Sequence, residues 1–223
     1  MIVDAVIFDL DGTLIDSVEI YFKLVEKVCA RLDFPVPTRD VILESARSAK
    51  GDLRKILLEK VVGKKDKVIN QAMVIIRELF PKMFRDNIRI IPGAADLLRQ
   101  IHEVGTRIGL VTSTYLRFLD CKLYPLKKAG VADLIGAIIC IEDVSRLKPA
   151  PDPLIECVGR LGASVDRSVY VGDSYVDIRA GKAAGMKTVG VLTGMDSYER
   201  LKKEGPDMIL HSIDELSDII HFE

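Results

Sequence analysis

From residue 94 onward, short apolar runs alternate with amphipathic stretches at helical spacing, and nothing else in the chain restricts its fold so strongly. Ala94 to Val104 reads as a helix, Ile108-Gly109-Leu110-Val111 as a buried strand, and a helix through Leu119 and Leu126 ends near Gly130. The alternation continues with a strand at Ala137-Ile138-Ile139-Cys140, a helix from Pro153 to Leu161, and a strand at Ser168-Val169-Tyr170-Val171. A helix from Tyr175 to Ala184, a strand from Lys187 to Leu192, a helix around Ser197 to Lys203, the strand Met208-Ile209-Leu210 and a helix near Ile213 to Ile220 complete it. Apolar strands joined through helices specify an α/β fold: a Rossmann-like parallel sheet with helices on both faces. The run Val6-Ile7-Phe8 near the N-terminus is one further strand of the same kind.

Residues 17–86 break this rhythm. Val18, Tyr21, Phe22, Val25, Val28 and Leu32 recur at helical spacing until Pro35 and Pro37 interrupt them. Ile42, Leu43 and Ala46 mark a second helix, Leu53, Ile56, Leu57 and Val61 a third, and Val68 to Phe84 a fourth, with no strand pattern among them. The block reads as a four-helix domain at 17–86, inserted into a core made of 1–16 and 87–223.

Polar residues gather where the strands end. Asp9 and Asp11 follow the first strand, with Asp11-Gly12 a turn signal; Thr112 and Ser113 follow Val111; Lys148 precedes Pro149; Asp173 and Asp177 follow Val171. A parallel sheet delivers these ends to one edge, so residues far apart in sequence share a crevice. Asp9 and Asp11, two apart in extended chain, project to one side, and carboxylates brought that close require a cation or a proton between them. Each residue also has a plainer use. Asp177 suits a helix N-terminus, Thr112, Ser113 and Thr114 can cap a helix, and a lysine before proline is commonly an exposed loop residue.

Taken in order, Asp9-Leu10-Asp11-Gly12-Thr13, Thr112, Lys148-Pro149 and Gly172-Asp173-Ser174 with Asp177 resemble the four motifs of the haloacid dehalogenase superfamily. The helical insert resembles that superfamily's four-helix cap. The resemblance implies a phosphatase acting on a small organic phosphomonoester, in which Asp9 is the nucleophile and forms an aspartyl-phosphate. It implies that Asp11 protonates the leaving oxygen and later activates water, and that Thr112, with Ser113 beside it, and Lys148 bind the phosphoryl group. Mg²⁺ would be held by Asp9, the Asp11 carbonyl and Asp173, with Asp177 adjoining. Asp11 argues against a dehalogenase, whose leaving halide needs no proton. Single acid Asp173 in the fourth motif leans toward the phosphoglycolate-phosphatase-like group, the alternative being a sugar-phosphate mutase of the β-phosphoglucomutase type. A non-catalytic phosphate-binding or docking protein is the reading from another class. Substrate choice is expected in the cap, at Arg47 and Lys50 of the loop Arg47-Ser48-Ala49-Lys50-Gly51, whose cations face the competing reading of a solvated helix end.

Composition narrows the partners. A net charge of −1 offers no footprint for nucleic acid or an anionic membrane. Four cysteines without zinc-ligand spacing, a strand close to the first residue and no membrane-length apolar run lead to the expectation of a reduced, cytoplasmic protein acting on a small molecule. His102, His211 and His221 lie away from every motif and are expected at the surface. Amide side chains are confined to Asn70, Gln71, Asn87 and Gln100, a depletion reported for hyperthermophile proteins.

Overall fold

A computed structural model of the chain describes residues 3–47 and 65–219. Six strands form one parallel sheet: β1 (Ala5–Phe8), β4 (Arg107–Val111), β5 (Ala137–Ile139), β6 (Ser168–Gly172), β7 (Lys187–Val191) and β8 (Met208–Leu210). Their order is β5-β4-β1-β6-β7-β8, so β1 is central and the chain reverses its direction of travel across the sheet between β1 and β6. Ligands of open α/β sheets bind outside the strand ends at such a reversal. Asp9 leaves β1 and Asp173 leaves β6 at that position.

The period-two pattern explains how both faces are covered. Val6, Phe8, Ile108, Leu110, Val169 and Val171 point into one core with Leu97, Leu98 and Ile101 of helix α4 (Ala94–Glu103). Ile7, Val111, Ile139 and Tyr170 point the other way, onto Leu154, Cys157 and Val158 of helix α6 (Asp152–Leu161). Helix α7 (Tyr175–Ala184) lies beside α6 on that second face, and helix α8 (Tyr198–Glu204) follows. The C-terminal stretch Ile213–Asp218 is a 3₁₀ turn, shorter than the helix its apolar residues suggested; Ile213 and Leu216 are buried, and a spacing of three suits 3₁₀ geometry.

Between β1 and β4 lie helices α1 (Val18–Arg31), α2 (Arg39–Arg47) and α3 (Lys65–Asn87), the helical cap region. The third helical stripe, Leu53 to Val61, lies outside the described residues. The chain enters and leaves this region through a pair the sequence reading missed: β2 (Ile15–Asp16) and β3 (Arg89–Ile90) are antiparallel, with Asp16 opposite Arg89. Two-residue strands have no period to detect. Helix α3 packs on helix α5 (Leu116–Lys128) of the core, where Phe80 stacks on Phe84 with ring centroids 3.9 Å apart and on Phe118 at 4.3 Å.

Candidate active site

Four separate stretches meet above the C-terminal ends of β1, β4 and β6. Lys148, which precedes a cis Lys148–Pro149 peptide, reaches the centre of the group. Its Nζ donates to Asp9 Oδ1 at 2.6 Å, Asp177 Oδ1 at 2.7 Å and the Tyr170 hydroxyl at 3.0 Å. All of these side chains are buried. Lys148 is therefore not an exposed loop lysine, and within this group its ammonium is shared by two carboxylates.

Burial pushes the Asp9 carboxyl up to about 7, helped by the nearby charges of Asp177 and Asp11 and opposed by Lys148. Burial likewise raises Asp173 well above the usual carboxylate range, with Asp9 and Asp177 adding to it. Burial alone would lower the Lys148 ammonium, yet Asp177 and Asp9 hold it well above the ordinary lysine value. A desolvated set of acids with fewer cations than charges is a site short of positive charge.

One oxygen each of Asp9, Asp173 and Asp177 lies within 4.8 Å of the others, a spacing at which they can hold a metal ion. The carboxylates differ in how committed they are. Asp177 gives Oδ1 to Lys148 and Tyr170, while its Oδ2 accepts from the Ser174 amide at 3.1 Å and hydroxyl at 2.5 Å. It thus closes the first turn of α7 and also pairs with Lys148. Asp173 accepts from the Met195 amide at 2.6 Å and, weakly, from Thr13 at 3.5 Å, with no cation among the described residues on either oxygen. Asp173→Asn should consequently raise the melting temperature of the metal-free protein, by a few degrees for each kcal/mol of roughly 1–3 recovered from an uncompensated buried charge. Differential scanning calorimetry in chelator checks this; a lower melting temperature would show that the carboxylate stabilises the fold by itself.

Glycines make the room these acids occupy. A Cβ on Gly12, at φ +83°, would sit 2.4 Å from Asp173 Oδ2, and one on Gly194 would sit 1.9 Å from the same atom. The Asp-Gly turn was legible from sequence; Gly194, on the loop after β7, was not.

Asp11 faces the opening between the cap region and the core. Ser17 donates to its Oδ1 at 2.6 Å, and Lys122 Nζ lies 2.5 Å from its Oδ2. Lys122 also donates to Thr114 at 3.0 Å and stands over the Phe84 and Phe80 rings, 5.4 and 5.7 Å from their centroids. Sequence reasoning passed over Lys122, although its place three residues after Leu119 and four before Leu126, on a buried helical stripe, was a signal. Thr112 is buried and donates to Thr114 at 2.9 Å, while Ser113 and Thr114 line the cavity. None of the three caps α5, whose first-turn amide at Leu116 is instead bonded by Glu142.

Arg47 lines the cavity, but its guanidinium is engaged: Nη2 lies 2.5 Å from Asp196 and donates to the Met195 carbonyl at 2.8 Å. Nearby, Glu44 of α2 accepts from Tyr175 and Arg200 of the core. Neither a solvated helix end nor a spare cation describes Arg47; it fastens α2 to the loop that also positions Asp173. Lys50 lies outside the described residues. His102 and His211 are exposed, and His221 lies outside the described residues. Burial pushes the Cys140 thiol up to about 11 and Cys157 up to about 12, away from the reactive thiolate form.

Residues 6–191 match the model of the haloacid dehalogenase-like hydrolase family. The chain belongs to this family. Among its relatives, the phosphoglycolate phosphatase of Salmonella paratyphi A is 32% identical over 230 residues, covering 95% of this chain and 90% of that one. That of Escherichia coli K12 is 32% identical over 231 residues, with the same coverage. A hydrolase from Pseudomonas syringae has the same fold, with a TM-score of 0.79 at 23% identity over 98% of this chain and 100% of that one. Among the described residues no helix is long and apolar enough to cross a membrane.

Proposed function

We propose that the chain is a Mg²⁺-dependent phosphatase of small organic phosphomonoesters, acting through an aspartyl-phosphate on Asp9. The observation that carries this reading is the Lys148 ammonium placed between Asp9 and Asp177 at the end of β1. A carboxylate nucleophile must approach a dianionic ester, which demands neutralisation of the phosphoryl oxygens. Lys148 supplies part of that charge and holds Asp9 in one orientation. Asp11, fixed by Ser17 and Lys122, faces the cavity where the leaving oxygen departs and is the acid and then the base of the two half-reactions. Thr112 and Ser113 lie at the end of β4, where a hydroxyl and backbone amides serve the phosphoryl oxygens.

The residues fit a small hard cation. Asp9 and Asp173 are acidic, buried and only partly hydrogen-bonded, and glycines at 12 and 194 keep the space beside Asp173 open. Mg²⁺ bound there would neutralise oxygen charge during transfer. Asp177, with both oxygens engaged, orients Lys148 and borders the cation.

The sign of the pH dependence follows from Asp9. Its folded value near 7 exceeds the ordinary 3.8, so the contribution of Asp9 to metal-free stability is full below about pH 4 and is lost as pH rises through 7. A dication favours the ionised form, so the rise in melting temperature on adding Mg²⁺ should grow from near zero at about pH 4 to its maximum above about pH 7. Thermal melts with Mg²⁺ and with chelator across that range read the difference. A Mg²⁺ effect independent of pH would place the ion elsewhere.

Phosphate release from a panel of phosphoglycolate, hexose phosphates and nucleotides, with and without Mg²⁺, tests the activity. Phosphoglycolate belongs in it because relatives carry that name. No release from any ester would overturn the assignment, and conversion of one hexose phosphate isomer into another would replace it with the mutase.

A further inference from the structure

We infer that Lys122 is a positioning residue for Asp11, fixing which oxygen of that carboxyl carries the transferable proton and so how well an ester with a poor leaving group is cleaved; the inference rests on the phosphatase reading and specifies how its acid is aimed. Asp11 lines a cavity of about 200 Å³ whose wall includes Met73, Ile76, Phe80 and Phe84 of α3. Each of its oxygens has a partner of its own. Ser17, at the entry to α1, donates to Oδ1 at 2.6 Å, while Lys122 of α5 lies 2.5 Å from Oδ2. The ammonium is itself pinned: Thr114 accepts from it at 3.0 Å and donates to the same Asp11 oxygen at 3.4 Å, and the Phe80 and Phe84 rings cover it.

Packing alone does not ask for a lysine at this place. Lys122 belongs to the buried stripe of Phe118, Leu119 and Leu126, where a leucine or methionine would meet the two rings without desolvating a charge. A well-packed apolar residue often stabilises a fold as much as a buried ion pair does. What the ammonium adds is direction. An ammonium donates and never accepts, whereas a hydroxyl does both. With Lys122 on Oδ2, that oxygen is the acceptor of the carboxyl, and the proton falls to Oδ1, where the Ser17 hydroxyl can turn to receive it. As the ester P–O bond breaks, its electron pair stays with the departing oxygen and takes up the Oδ1 proton, which leaves an alcohol and the Asp11 carboxylate. Water attacking the aspartyl-phosphate then returns a proton to Oδ1.

Esters that share the phosphoryl group and differ in the acidity of their alcohol isolate this role. The para-nitrophenyl ester releases a stable anion that needs no proton, whereas the phenyl and ethyl esters need one increasingly. With Mg²⁺, Lys122→Met should lose on the order of 10²-fold in kcat/KM on ethyl phosphate and less than about threefold on para-nitrophenyl phosphate, with phenyl phosphate between them. A merely structural defect lowers the active fraction and costs every ester the same factor. Thr114→Val removes the hydroxyl that pins the ammonium and leaves the lysine in place; it should show the same pattern at about fivefold on ethyl phosphate. In an Asp11→Asn background Lys122→Met should add less than about twofold, and inhibition by inorganic phosphate should be equal in wild type and Lys122→Met. Phosphate release with an equal loss across the esters in either variant, an additive loss in the double variant, or weaker phosphate inhibition overturns the role of Lys122 and leaves the phosphatase standing. No release from any ester by the wild type overturns both.

Discussion

Lys148→Met is expected to lower the melting temperature by roughly 6–20 °C, the equivalent of about 3–5 kcal/mol for stripping a buried ion network of its cation. The physical reason lies in the count of partners. Asp9 and Asp177 both lean on the same ammonium, at 2.6 and 2.7 Å, and the Tyr170 hydroxyl that completes the group carries no charge. Methionine fills similar volume, so the loss is electrostatic rather than a cavity. The deficit should shrink in acid, where a protonated Asp9 no longer needs a counter-charge; that pH dependence distinguishes it from a packing defect. In kinetics the variant should lose on the order of 10²–10³-fold in kcat, since a fixed positive charge at the transferring group is removed. Calorimetry at two pH values and a phosphate-release assay decide the matter, and a melting temperature within a degree or two of wild type would mean that Lys148 does not hold the two acids together.

Asp9→Asn should be the most damaging change for turnover, with a fall on the order of 10⁴-fold or more, because the amide cannot form the acyl phosphate. The side chain keeps its shape, and Asp177 remains to hold Lys148, so the circular dichroism spectrum should superimpose on that of wild type. Rapid acid quench offers a second readout: a phosphoryl adduct on the peptide containing Asp9 in wild type and none in the variant. Retention of a tenth of the activity would remove Asp9 from the nucleophile's place.

The parts of this site that sequence makes visible are those written locally. Asp9, Thr112 and Asp173 each stand at the end of an apolar run, and the rule that parallel strands finish at one edge assembles them without any coordinates. The parts it conceals depend on which strands become neighbours or on who meets across a gap. Lys122 pairs with Asp11 from 111 positions away, and only the packing of α3 on α5 explains why an ammonium sits on a buried stripe. Gly194 and Met195 matter because β7 lies next to β6, which places their loop against Asp173. Arg47 was singled out from sequence as a cation for the substrate's leaving group, yet its partner Asp196 could not be named from spacing, and that partner changes what the guanidinium is free to do. Lys50 and the third helical stripe lie outside the described residues.

The small ribbon of β2 and β3 bears on how such a protein can change over generations. Since Asp16 faces Arg89, everything between them is an excursion that departs from and returns to a single spot. Lengthening, shortening or rewriting that excursion leaves the register of β1 with β4 and β6 untouched, and with it the placement of Asp9 relative to Asp173. The wall supplied by α3 can therefore be redrawn for a new alcohol while the phosphoryl chemistry is inherited whole. Descendants of one such ancestor would be expected to diverge first in what they cleave from phosphate, and last in how.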